Sequence, residues 1–231
     1  MAIISFKHRL IFIKTTKTAG TSIETDLSQR VEPEAVVTPI FPQVPGHVPR
    51  NYQVGSDAED GSRGYYNHMS AAEIRTLLGS DTFDSFTKFC VERDPVSKCI
   101  SHFHMLHRSE DHRTDFADSW VQYCEAGKFP NDLRKYTEDR DGTPHLIVDH
   151  VLRYETLARD LPEFLATKGI SGFELTARAK AAYSRNPVVT PAQVTPSQRQ
   201  KIERVFAGSI ALTAAHWAAP SKLTQGSNAP L

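Results

Sequence analysis

The stretch Arg9-Leu10-Ile11-Phe12-Ile13-Lys14-Thr15-Thr16-Lys17-Thr18-Ala19-Gly20-Thr21-Ser22 decides the fold class. Its first half is a short apolar run of the kind a buried strand makes. Its second half is a loop of small and hydroxylated residues carrying Lys17. Ile23 and Leu27 follow, four positions apart with polar residues between them, as on one face of a helix. The order is therefore strand, small-residue loop, helix. Such a loop lets backbone N–H groups and the positive end of a helix converge on an anion. Lys17 adds a mobile positive charge, and Thr18, Thr21 and Ser22 add hydroxyls. This is the chemistry of a phosphate-binding loop. It is not the nucleotide-hydrolase form GxxxxGK[ST], because the lysine precedes the glycine.

The same order occurs a second time. Thr87-Lys88-Phe89-Cys90-Val91-Glu92 reads as a buried strand that ends at Arg93-Asp94-Pro95. Asp94 is suited to cap a helix and Pro95 to take its first position. Val96, Cys99, Ile100, Phe103 and Leu106 then keep helical spacing. A third β-rich stretch spans His145 to Tyr154, with helices expected at Leu157–Lys168 and, after Thr195-Pro196, at Ser197–Ala215. Ser70 and Glu73 form a capping box that opens a helix through Leu78, stopped by Gly79. Residues 33–64 are punctuated by prolines and glycines and read as a long loop. The alternation predicts an α/β chain: a P-loop-like three-layer fold with a central, mainly parallel sheet flanked by helices. One domain over residues 1–217 and a flexible tail over 218–231 are expected.

Composition narrows the function classes. The 231 residues hold 27 Lys plus Arg and 27 Asp plus Glu, a formal net charge of zero. That argues against binding nucleic acid or an anionic membrane through bulk charge. A hydrophobic fraction of 39% is enough for a core. No apolar run approaches the roughly 18 residues of a membrane span, and Met1 to Arg9 lacks the pattern of a secretory signal. Cys90, Cys99 and Cys124 are odd in number and lack CxxC spacing, which points to buried thiols in a reducing compartment. A cytoplasmic protein without stable membrane insertion is the expectation.

The two loops carry a resemblance. Lys17-Thr18-Ala19-Gly20-Thr21-Ser22 resembles the 5′-phosphosulfate loop of sulfotransferases that use 3′-phosphoadenosine 5′-phosphosulfate. Val91 to Phe103, with Arg93 and Ser101 at the matching interval, resembles their 3′-phosphate signature. Arg153-Tyr154-Glu155-Thr156-Leu157 looks like a third block of the carbohydrate-type branch. Thr16 and Ala19 depart from the usual proline and glycine. Ala19 would permit close backbone approach with a negative φ, so altered tuning of the loop is expected, not loss of binding. The resemblance implies a donor held by Lys17, Thr18, Ala19, Gly20, Thr21 and Ser22 at one end and by Arg93 and Ser101 at the other. Adenosine 3′,5′-bisphosphate would be the product.

Arginine at a strand end suits a bidentate grip on phosphate, which lysine does not copy. Glu92 puts negative charge beside an anion site and must point away or pair with a cation. Sulfuryl transfer rests on positioning and charge neutralisation, and Lys17 is the candidate for the leaving side. His68 is the candidate base, with Glu24 and Glu92 as weaker alternatives. Arg50, Arg63, Tyr65 and Tyr66, together with Tyr52, are candidates to hold a hydroxyl-bearing acceptor, a sugar or a lipid-linked or other small molecule. Lys180, Tyr183 and Arg185 fall where related enzymes fold a late loop over the donor. Glu155 reads as a residue that orients a loop. His102, His104, His107 and His112 form no convincing ligand pattern, so no metal is expected. Two competing readings remain. One is a P-loop kinase or nucleotide hydrolase using Leu146-Ile147-Val148-Asp149 to hold magnesium; the other is a non-catalytic nucleotide-binding module.

Overall fold

A computed structural model describes residues 2–53, 64–107, 116–177 and 189–218. The chain opens with a strand absent from the sequence reading, β1 (Ala2–Ser5), which turns through four residues into β2 (Leu10–Ile13). So short a connection can only join antiparallel strands, and Ser5 pairs with Leu10. The loop after β2 leads into α1 (Gly20–Ser28), and β3 (Val36–Val37) then pairs antiparallel with the far side of β1. Next come α2 (Ala71–Leu78) and α3 (Ser80–Ser85). The capping box at Ser70 and Glu73 forms, and Gly79 ends α2 at φ +85°. Strand β4 (Thr87–Glu92) runs into α4 (Pro95–Leu106), and α5 (Phe116–Ala126) and the single turn α6 (Leu133–Tyr136) follow.

The third β-rich stretch divides. Its start belongs to a hairpin of β5 (Thr137–Arg140) and β6 (Thr143–Leu146), turned by Asp141 and Gly142, both at positive φ. Its end is β7 (His150–Arg153), which joins the main sheet and passes through one 3-10 turn into α7 (Leu157–Ala166). The expected terminal helix is two, α8 (Pro196–Val205) and α9 (Ala207–Ala218), separated at Phe206. Ala218 therefore ends a helix, and residues 219–231 of the expected tail lie outside the described residues.

The main sheet has the order β3-β1-β2-β4-β7. Only β2–β4 and β4–β7 are parallel, while β1 pairs antiparallel on both sides. The sheet is mixed, which corrects the expectation of a mainly parallel one, and the cause is the short β1–β2 turn. Helices cover both faces. Ile23 and Leu27 of α1 and Leu161, Phe164 and Leu165 of α7 pack against Phe12, Phe89 and Val91. Ala71, Ile74 and Phe83 pack on the other face with Ile11, Ile13 and Cys90. Phe89 marks the centre, fully buried, its ring 4.9 Å from Phe12 and 5.0 Å from Phe164. Helices α4, α5 and α8 form a further cluster around Phe103, Trp120 and Phe206. All three cysteines are free and buried. Among the described residues no helix is long and apolar enough to cross a membrane.

Candidate active site

The three parallel strands end on one edge of the sheet, and the chain leaves each of them for a helix there. Ligands of open α/β sheets bind along such an edge. A cleft of about 550 Å³ lies on it, lined by residues 14–22 after β2, by Arg93, Ser97 and Ser101 after β4, by Tyr154 after β7, and by His68. The two loops read from the sequence thus face one space. Arg93 binds them together: its Nη1 donates to the carbonyl of Lys17 at 3.2 Å, and its guanidinium stacks on Tyr154, 4.1 Å from the ring centre. Its Nε is buried without an acceptor, and among the described residues Arg93 forms no ion pair. A donor-rich group held in this way fits an incoming anion.

The loop after β2 is held from beneath. Thr15 donates its hydroxyl to the carbonyl of Val91 and lies 2.8 Å from the hydroxyl of Thr18. Thr18 is fully buried and its hydroxyl also meets the carbonyl of Thr15. That hydroxyl is used within the loop, so Thr18 borders the cleft through the rest of the residue. Lys17 and Ala19 both have left-handed backbone, at φ +62° and +61°. The negative φ expected of Ala19 is not what the chain adopts. For a residue with a Cβ this conformation costs about 1–2 kcal/mol. Helix α1 then begins with Ile23 N–H donating to Ala19 O, so that among the described residues the amides of Gly20, Thr21 and Ser22 are the unengaged donors of a helix start.

Two features of the site were not visible in the sequence. Lys14 lies beneath α1, buried, with Nζ 3.0 Å from Thr21 Oγ1 and 2.9 Å from Glu24 Oε2. Its stem crosses the helix start so closely that a Cβ on Gly20 would come within 2.5 Å of Lys14 Cγ. A side chain at position 20 would therefore force the Lys14 stem to move. The second is Asp132, at the start of α6. It is 4% exposed, and its carboxylate accepts the Thr16 amide at 2.6 Å and the Thr16 hydroxyl at 3.0 Å. Asp132 stands at the N-cap of α6 but makes no side-chain capping hydrogen bond there, since both oxygens are engaged elsewhere.

Lys98 and Lys135 balance that charge. Lys98 Nζ is 2.9 Å from both Asp132 and Glu92, and Lys135 Nζ is 2.7 Å from Asp132. Burial alone would push the Asp132 carboxyl up, but the two ammonium groups outweigh it and hold it at about 2. For Glu92 the balance reverses: burial dominates and raises its pKa despite Lys98. Glu92 thus pairs with a cation, one of the two arrangements expected of it. Neither Glu92 nor Glu24 is among the residues that line the cleft.

His68 borders the cleft in a left-handed conformation, φ +64°, with Nδ1 3.3 Å from Lys135 Nζ. Burial above all, with Lys135 and Lys14 among the positive charges that add to it, lowers its pKa to about 3. Such an imidazole is neutral at pH 7 and departs from the untuned base expected of it. The acceptor candidates sit elsewhere. Arg50 donates to the carbonyls of Ser28, Val31 and Glu32 at the end of α1, Tyr65 is in the core, and Tyr66 donates to Glu73. None of the three lines the cleft. Tyr52 is also absent from its walls, and packs beside the cluster of Ile11 and Cys90. Arg63, His112, Lys180, Tyr183 and Arg185 lie outside the described residues.

Glu155 accepts the Asp94 amide at 2.9 Å and so orients the turn after β4. Asp94 in turn caps α4 through Ser97 N–H, at 2.7 Å. The histidines of α4 part company: His102 meets the Tyr123 hydroxyl, His104 accepts from Val189 N–H, and His107 meets the Phe103 carbonyl. Asp149 accepts from the amide and ammonium of Lys88 at the start of β4, the sheet edge opposite the cleft. No known family model matches the chain, and no curated protein matches it.

Proposed function

We propose that the chain is a sulfotransferase that moves a sulfuryl group from 3′-phosphoadenosine 5′-phosphosulfate to an acceptor hydroxyl on a carbohydrate-like or small molecule. The observation that carries this reading is the Arg93–Lys17 hydrogen bond across a single cleft, which ties together the two loops that resemble the family's phosphate sites. In this reading the fold is of the phosphate-loop type with an added antiparallel edge.

The lining fits such a donor. Amides of Gly20, Thr21 and Ser22, the Lys17 ammonium and the positive end of α1 suit the 5′ end. Arg93 and Ser101 suit the 3′-phosphate, and the apolar side chains of Ile100, Leu175 and Val189 suit a base. The donor, when bound, supplies an electrophilic sulfuryl group on a phosphate leaving group. Lys17 neutralises charge on the leaving phosphate as its bond to sulfur breaks, Arg93 fixes the nucleotide's register, His68 meets the transferring group from the Thr16 side of the cleft, and the acceptor's hydroxyl proton is released to water.

Assay with a donor carrying radioactive sulfur tests the reading against a panel of hydroxyl acceptors. Lys17→Ala is expected to lower turnover more than affinity for adenosine 3′,5′-bisphosphate. Binding of the bisphosphate with no transfer by the wild type would favour a non-catalytic module. Magnesium-dependent binding of ATP in its place would favour a kinase or hydrolase, although Asp149 lies on the wrong edge of the sheet to hold that metal.

A further inference from the structure

A line of charged groups reaches the cleft from the interior. Glu92 meets Lys98, Lys98 meets Asp132, Asp132 meets Lys135, and Lys135 Nζ lies 3.3 Å from His68 Nδ1. Glu92, Lys98 and Asp132 are all at least 96% buried. Each such charge costs several kcal/mol to remove from water, so the arrangement persists only because every link is paired.

The last link has a chemical consequence. An alkyl ammonium has three hydrogens and no lone pair, so Lys135 can only donate to Nδ1. The neutral ring then carries its proton on the other nitrogen. We propose that Asp132 and Lys135 are positioning residues that fix His68 as the Nε2–H tautomer, so that it donates a hydrogen bond to an anionic oxygen in the cleft instead of accepting a proton. Asp132 holds the Lys135 ammonium in place and, through the same carboxylate, holds Thr16, so the imidazole and the anion loop share one anchor. Protonating Nδ1 would set a second positive charge against Lys135. The left-handed backbone of His68 is strain of the kind found where a side chain is held for function. Only the identity of the anionic oxygen, a sulfuryl oxygen, rests on the proposed function; the tautomer does not.

Nitrogen-15 NMR of the full chain labelled at histidine reads the tautomer directly. His68→Gln identifies the His68 pair among the ten histidines. At pH 7 the wild type should show His68 Nδ1 at the position of a bare ring nitrogen and Nε2 at that of a protonated one. Lys135→Met should move both toward the tautomer average, and Asp132→Asn should do so in part. A wild-type His68 protonated on Nδ1, or on both nitrogens, overturns the proposal, and that measurement needs no variant to fold. An unchanged tautomer in a folded Lys135→Met overturns the assignment to Lys135. If the tautomer is as stated and no acceptor is ever sulfated, the functional reading fails while this one stands.

Discussion

Arg93 and Lys17, 76 positions apart in the chain, are joined by one hydrogen bond from a guanidinium to a backbone carbonyl. The bond uses one of five guanidinium N–H groups, so Arg93 keeps most of its fork for a ligand while fixing the loop that would hold the ligand's other end. Both residues leave the carboxyl ends of neighbouring parallel strands, β2 and β4, and the register of those strands brings them together.

Ala19 adopts φ +61°, where glycine is at ease and alanine is not. Ala19→Gly should therefore stabilise the fold by about 0.5–1 kcal/mol, the left-handed penalty less glycine's greater chain entropy. Urea denaturation checks this; a loss of stability would show that the Ala19 methyl contributes more by packing than its backbone costs.

Gly20→Ala should do the reverse. Its Cβ would meet Lys14 Cγ and displace the ammonium that neutralises Glu24, a fully buried carboxylate. Breaking a buried pair costs about 3–5 kcal/mol, so a loss of at least about 2 kcal/mol is expected even after the lysine stem adjusts. Equal stability of the two proteins in denaturant would show that Lys14 has another place to go.

Asp132→Asn removes the charge that holds Lys98 and Lys135 and weakens the grip on Thr16. A stability loss of about 3 kcal/mol is expected, together with weaker binding of adenosine 3′,5′-bisphosphate. Calorimetry on the folded fraction separates the two effects; unchanged affinity would mean that the loop keeps its shape without its anchor.

Acid should destabilise the fold early. His47 is lowered to about 4 by burial, with Lys14 and Arg50 adding to it, and His68 is lowered to about 3. Both lie below the unfolded value near 6.5, so the unfolded chain takes up protons first. Their contribution is complete above pH 6.5 and is lost progressively as the pH falls, down to about 4 for His47 and about 3 for His68. Stability measured across that interval should fall, and His47→Gln should flatten the slope. A flat wild-type profile contradicts both assignments.

Much of the site was legible because it is local. An apolar run, a small-residue loop and a capped helix each announce themselves within ten residues, which is why β2–α1, β4–α4 and the capping box of α2 stand where the sequence placed them. What was missed is relational. The first strand is four residues long, too short for a period to register, and the antiparallel half of the sheet depends on it. The β5–β6 hairpin carries its only local mark in the Asp141-Gly142 turn, since its strands alternate too little to stand out. Lys14 looks like the polar end of a strand, and Lys135 looks like a surface lysine on a short helix. Asp132 reaches Thr16 across 116 positions, a contact no single sequence displays. Arg50 serves backbone carbonyls, Tyr65 lies in the core and the exposed Tyr66 meets Glu73, uses that a cation or ring near a loop takes up as readily as a ligand.

A thermodynamic cycle tests whether one cleft grips both ends of one nucleotide. Calorimetry would compare adenosine 3′,5′-bisphosphate with adenosine 5′-monophosphate, in the wild type and in Arg93→Lys, without magnesium. The account expects loss of the 3′-phosphate to weaken wild-type binding by about 10- to 100-fold, the range for a charged hydrogen-bonded pair, and to weaken the variant far less. An equal penalty in both proteins would mean that Arg93 does not touch that phosphate, and the account would be wrong.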